Sequence, residues 1–107
     1  MSDNNLTNKV MNIKSHRLSK KEIDDNFSDL HAPLSAIEAL IEADRCYFCY
    51  DAPCTKACPS DIDVPGFIQS IRSDNLTGAA EKILSENIFG GMCARDCPTE
   101  ELCQLAC

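Results

Sequence analysis

No cysteine precedes Cys46, and all eight cysteines of this 107-residue chain lie between Cys46 and Cys107. The start of an exported protein is missing too: Met1-Ser2-Asp3-Asn4-Asn5-Leu6-Thr7-Asn8-Lys9 has neither the basic end nor the apolar run of a signal peptide. No stretch approaches the roughly 20 apolar residues of a membrane span, so no membrane partner is expected. Together these absences point to a reducing cytoplasm, where disulfides do not persist, and they turn the cysteines toward metal or cluster ligation. No run alternates with a period of two and no hairpin turn pair occurs, so no β-strand is expected. G-x-G-x-x-G is also lacking. The one adjacent glycine pair, Gly90-Gly91, stands before a cysteine rather than between a strand and a helix.

Charge excludes a further class. The formal net charge is −7. Residues 1–33 balance five basic groups (Lys9, Lys14, Arg17, Lys20, Lys21) against five acidic ones, so the whole excess sits in residues 34–107. Nucleic acid is held chiefly by Lys and Arg on phosphates, and no nucleic-acid partner is expected of an acidic, solvated surface.

What is present reads as an all-α chain in two parts. Residues 1 to about 17 are polar without a clear period and are expected to form a tail. Ser19 and Glu22 fit a capping box opening a short helix with Ile23, Phe27 and Leu30 on one face. His16 and His31 lie outside the cysteine region and are expected on the surface. The second part, residues 34–107, begins with another capping box, Ser35 and Glu38. It predicts a helix to about Arg45 with Ile37, Leu40 and Ile41 as its apolar stripe. Asp63 with Pro65 opens a third helix bearing Val64, Phe67, Ile68 and Ile71 at helical spacing. A fourth is expected from about Leu76 to Glu86, with Ala79, Ala80, Ile83 and Leu84 inward. Gly90-Gly91 is expected to stop any continuation, and a short helical turn to follow Pro98, capped by Thr99.

The cysteines form two groups. The first, Cys46, Cys49, Cys54 and Cys58 followed by Pro59, is C-x2-C-x4-C-x3-C-P; the second, Cys93, Cys97 followed by Pro98, Cys103 and Cys107, is C-x3-C-P-x4-C-x3-C. A 4Fe–4S cubane is larger than one ion and needs thiolates from several directions. A loop of close cysteines wraps three corners, and the fourth thiolate arrives from elsewhere in the chain. In two-cluster ferredoxins the cysteine before proline crosses to the other cluster. That logic assigns Cys46, Cys49, Cys54 and the distant Cys107 to one cluster, and Cys58, Cys97, Cys103 and Cys93 to the other. Structural zinc also takes four thiolates, but it favours paired short knuckles, and only one C-x2-C occurs here. A zinc-stabilised interaction module is therefore the alternative from another class. Thioredoxin-type chemistry at Cys46-x-x-Cys49 lacks its βαβ context. Arg45, Lys56 and Arg95 stand beside cysteines, either offsetting cluster charge or as solvated helix-end charges. Tyr47, Phe48 and Tyr50 are expected to shield the first cluster from water. A region of only 74 residues buries little apolar surface, so what the cysteines bind is expected to be part of its core.

These residues also carry a family resemblance. Asp44-Arg45-Cys46 through Asp51-Ala52-Pro53-Cys54 to Cys58-Pro59, then Ile62-Asp63-Val64-Pro65-Gly66-Phe67-Ile68, and the run Cys93 to Cys103, resemble the N-terminal domain of dihydropyrimidine dehydrogenase, nearest to the small subunit of the bacterial NAD-dependent enzyme. The wider family includes the glutamate synthase small subunit, another electron-entry domain, whose second group is tighter than Cys97-Pro-Thr-x-x-Leu-Cys103. The resemblance implies a small α-helical ferredoxin-like domain built around two 4Fe–4S clusters. It implies an oxidoreductase of pyrimidine metabolism, in which electrons pass between an NAD(P)H-reduced FAD and an FMN-bearing large subunit that reduces uracil or thymine. It implies the ligands Cys46, Cys49, Cys54 and Cys107 for one cluster and Cys58, Cys97 and Cys103 for the other. The last position lies between Cys93 and a residue further along, a glutamine in some relatives. FAD and NAD(P) are expected in a downstream flavin domain, absent from these residues, so the chain reads as a fragment that itself lacks catalytic and nucleotide sites.

Overall fold

Two Ser-x-x-Glu segments open the first two helices for one physical reason. A helix begins with unsatisfied N–H groups, and a serine hydroxyl and a glutamate carboxylate satisfy them reciprocally. The computed structural model describes residues 16–107; the tail expected over residues 1–17 lies outside them except for its last two positions. The chain divides between Pro33 and Leu34. In the first unit, helix α1 (Lys20–Asn26) is capped by Ser19, whose N–H donates to Glu22 Oε2 at 2.8 Å. Phe27 ends this helix as its C-cap and Leu30 lies beyond it, so the three-residue apolar face is not formed. His16 and His31 are exposed, as expected.

The second unit, Leu34–Cys107, carries all the cysteines. Helix α2 (Ala36–Ala43) starts at the Ser35–Glu38 box, with Ser35 N–H to Glu38 Oε2 at 2.8 Å. It ends two residues earlier than its pattern suggests, because the backbone turns there: Cys46 N–H donates to Ala43 O at 3.2 Å. The buried residue of α2 is Ala43, while Ile37, Leu40 and Ile41 remain exposed. Helix α3 (Pro53–Ala57) follows, with proline in its first turn, where the missing N–H costs nothing. Helix α4 (Val64–Arg72) is capped by Asp63, which accepts from Gly66 N–H at 3.0 Å.

The α4 helix leads into α5 (Leu76–Glu86) through a tight reversal. Asn75 N–H donates to Ser70 O at 2.8 Å and Asp74 N–H to Ile71 O at 3.0 Å. This is the Schellman pattern, with Asp74 at φ 56° where glycine is more usual. Asn75 then caps α5 by accepting from Gly78 N–H at 2.9 Å, and the two helices pack on each other. Only part of the expected inward face of α5 is covered: Ala79 is buried and Ile83 half-buried, whereas Ala80 and Leu84 face solvent.

The glycine pair behaves differently from expectation. Helix α5 stops at Glu86, where Asn87 is extended, and Gly90-Gly91 opens a new helix, α6 (Gly90–Asp96), carrying Cys93. Gly90 is needed for close approach, since a Cβ there would lie 2.5 Å from Ile83 Cγ2. A 3₁₀ turn (Thr99–Glu101) and helix α7 (Cys103–Ala106) complete the unit. Thr99 does not cap the turn; its hydroxyl bonds Gln104 Oε1 at 3.1 Å. No strand occurs among the described residues. The all-α reading therefore holds, but Cys54, Cys93 and Cys103 sit on short helices rather than in loops.

Packing places the site. Helix α2 packs on α4, and α3 packs on both α4 and α7. Helix α3, in the first cysteine group, thus meets α7, at the far end of the second. Among the described residues the buried apolar core is only Ala43, Ile62 and Ala79, and no large side chain is fully enclosed.

Candidate iron–sulfur site

The first cysteine group is shaped by unusual backbone. Phe48 (φ 51°), Ala52 (φ 39°) and Asp61 (φ 53°) all adopt left-handed conformations that non-glycine residues rarely take. They fall between Cys46 and Cys49, immediately before Pro53-Cys54, and just after Cys58-Pro59. Such conformations persist only where the surroundings over-determine them, and they concentrate at ligand-holding sites. At Phe48 the turn brings an N–H to sulfur, donating to Cys46 Sγ at 3.4 Å. Thr55, next to Cys54, accepts from Val64 N–H at 3.2 Å and ties this region to the start of α4.

The thiols of Cys54 and Cys97 report which cysteines are brought together. Partial burial pushes the Cys54 thiol up. The N–H groups of Thr55 and of Cys54 itself pull it back, and the nearby thiols of Cys107 and Cys46 raise it further. Burial likewise raises Cys97, followed by the thiols of Cys103, Cys93 and Cys58 and the carboxylate of Glu100. Cys107 therefore lies in the neighbourhood of Cys54, and Cys58 in that of Cys97, each beside the opposite group. All eight thiols are free; Cys49 and Cys107 are exposed and the other six half-buried.

The donor set can be tested against what it is to hold. Tetrahedral zinc, with Zn–S near 2.3 Å, requires sulfurs within roughly 4 Å of one another. Among the described residues, no three Cys, His, Asp or Glu side chains gather tightly enough for a single metal ion. Yet the thiols around Cys54 and those around Cys97 lie close enough for their charges to act on each other. Eight soft thiolate donors in two groups, with the Phe48 N–H turned to sulfur, suit an iron–sulfur cluster. The residues present fit the group.

Other expectations at the site divide. Tyr47 and Tyr50 are 88% and 105% exposed and do not shield the first group, whereas Phe48 is half-buried. Arg45 pairs with Glu42 at 2.8 Å and Arg95 donates to Gly91 O at 2.9 Å, while Lys56 is exposed. Two residues that the cysteine pattern did not single out stand close to it. Arg72 lies 5.5 Å over the Phe48 ring and pairs with Asp44 at 2.8 Å, locking the first loop to α2 and α4. Asn87 bonds Cys93 Sγ at 3.1 Å. Neither carries a spacing signal, since each acts through a contact made only by folding. A polar concavity of about 340 Å³ between α4 and α5, lined by Asp63, Ser70, Asn75 and Lys82 among others, contains no cysteine.

Residues 23–107 match the sequence family described as dihydropyrimidine dehydrogenase domain II, 4Fe-4S cluster. The chain belongs to that family. Over 83 residues it is 49% identical to the NAD-dependent dihydropyrimidine dehydrogenase subunit PreT of Escherichia coli O157:H7, covering 78% of this chain and 19% of that protein. It is 48% identical to the PreT subunit of Escherichia coli K12 over 77% of this chain and 20% of that protein. For PreT of Salmonella typhimurium the identity is 49%, over 78% and 19%. The chain thus spans about a fifth of the length of these curated relatives. As a member of this 4Fe–4S domain family, it is an iron–sulfur electron-transfer domain related to subunits of an NAD-dependent oxidoreductase. No helix among the described residues is long and apolar enough to cross a membrane.

Proposed function

We propose that the chain is the two-cluster, ferredoxin-like electron relay of a dihydropyrimidine dehydrogenase. Cys46, Cys49, Cys54 and Cys107 hold one 4Fe–4S cluster. Cys58, Cys97 and Cys103 hold the other, with its fourth position filled by Cys93 or by a residue beyond Cys107. The reading rests on the interleaving of the groups, Cys107 near Cys54 and Cys58 near Cys97. When bound, each cluster accepts and donates one electron at a time. The chain's own residues do the rest. Phe48 N–H faces sulfur and stabilises negative charge on it, which favours the reduced state. The packing of α3 on α7 holds both groups together, suiting stepwise transfer between neighbouring clusters.

In the whole enzyme, electrons run between a FAD reduced by NAD(P)H in a flavin domain continuous with this one and an FMN-bearing partner subunit. Uracil or thymine is reduced there, in the cytoplasm. The relatives' names support the pyrimidine branch over the glutamate synthase branch. Anaerobic reconstitution tests the relay. The expected product is a brown protein with about eight iron and eight labile sulfide per chain, bleached by dithionite and showing two reduced-state EPR signals. A colourless chain that takes up about two zinc ions instead overturns it.

A further inference from the structure

The helix carrying Cys93 and the loop after Cys58 meet at one side chain. Asn87 stands extended between α5 and α6, at φ −148° and ψ 106°. Its carboxamide oxygen accepts from Phe89 N–H at 2.9 Å. A backbone N–H can only donate, so this contact fixes which end of the carboxamide is oxygen and leaves the NH₂ group facing away. That NH₂ group donates to Cys93 Sγ at 3.1 Å and to Ser60 Oγ at 3.3 Å. Ser60 lies two residues past Cys58, at 27 positions' separation from Asn87. One half-buried side chain thus ties together the Cys58-Pro59-Ser60 turn, the start of α6 and a sulfur of the second group.

We infer that Asn87 is a positioning residue of the second cluster, holding the crossing Cys58 beside Cys93 and Cys97 and supplying a hydrogen bond to sulfur that sets that cluster's potential. The inference rests on the two-cluster reading. Its chemistry is general: a donor to a sulfur at the cluster stabilises the more electron-rich, reduced state and raises the midpoint potential, and outer-shell donors orient ligands. Where Cys93 ligates, the bond acts on the potential directly; where Cys93 only packs there, the tie to Ser60 still holds the Cys58 turn in place. In the first group a hydrogen bond to sulfur comes instead from the backbone of Phe48.

The test is Asn87→Asp in the full 107-residue chain, reconstituted anaerobically with iron and sulfide. A carboxylate still accepts from Phe89 N–H but donates nothing to sulfur and adds negative charge. The expected result is selective: the EPR signal missing from Cys97→Ser moves to a lower midpoint potential or is lost, while the other signal keeps its field, intensity and midpoint. Both signals unchanged overturn the inference, and so does equal loss of both, which marks a merely structural role. Should Asn87→Asp fail to fold, the milder Ser60→Ala decides. Lower occupancy of the second cluster alone supports the inference, and full occupancy of both overturns it. A wild-type chain that takes up zinc and forms no cluster defeats the functional reading and this one together; an unaffected variant defeats only this one.

Discussion

The two cysteine groups present their thiols by different means. Between Cys46 and Cys58 the work is done by backbone: left-handed turns at Phe48 and Ala52, a single short helix, and the Phe48 N–H turned to sulfur. Between Cys93 and Cys107 it is done by helices, with Cys93 on α6 and Cys103 on α7, and by a side chain, Asn87. The spacing explains the contrast. C-x2-C-x4-C-x3-C crowds four sulfurs into thirteen residues and leaves little room for regular structure, whereas the second group has the glycine pair before it and a longer gap after Pro98. Different frames converge because α3 packs against α7.

The largest expected effect treats the two groups alike. With only Ala43, Ile62 and Ala79 buried among the described residues, neither frame has a sizeable apolar core to fall back on. Stripping iron from the reconstituted chain is expected to abolish most of the helical circular dichroism of Leu34–Cys107. A spectrum unchanged after chelation breaks the comparison, since the frames then stand without their contents.

Gly90→Ala sharpens the second frame. The added methyl meets Ile83 Cγ2 at 2.5 Å, and a β-branched side chain in a helix cannot swing away. Overpacking of this kind costs about 1–3 kcal/mol, read as a lower thermal midpoint of the reconstituted chain with earlier release of the second cluster. Arg72→Ala sharpens the first frame. It removes a half-exposed ion pair and a ring contact that together contribute about 1 kcal/mol. Thermal release of iron monitored by EPR is expected to advance for the first cluster and not for the second.

The smallest effect lies outside both frames. The Ser35 hydroxyl, then the Ser35 N–H, holds the Glu38 carboxyl below its ordinary value. A carboxyl depressed in the folded state contributes stability that is present above its unfolded value and lost as pH falls through the folded one. Wild type is therefore expected to lose a small increment of stability on acidification that Glu38→Gln lacks, seen by comparing their melting curves as pH is lowered through the carboxylate range.

The legible parts of this chain are those set by local rules. Capping boxes at Ser19 and Ser35, Asp63 with Pro65, and the period of residues 76–86 each specify a helix through neighbours a few residues apart, and those helices are present. The cysteine spacing, together with the residues around it such as Ile62–Ile68, pointed to the family. Gly90-Gly91 misled because a glycine pair stops a helix by propensity, whereas here the absence of a Cβ lets α6 begin against Ile83. Tyr47 and Tyr50 differ from expectation because aromatic character alone does not say which side of a loop a residue takes. Arg72 and Asn87 were invisible because their partners lie far away in sequence or depend on the direction of a single bend.

The central claim is that the cysteine before Pro59 serves the cluster of the other group, and one set of spectra tests it most directly. Reduced-state EPR is to be recorded on reconstituted Cys58→Ser, Cys49→Ser and Cys97→Ser. The account predicts that the signal surviving in Cys58→Ser is the one surviving in Cys97→Ser. If it matches the survivor of Cys49→Ser instead, Cys58 belongs with its sequence neighbours and the interleaved arrangement is wrong.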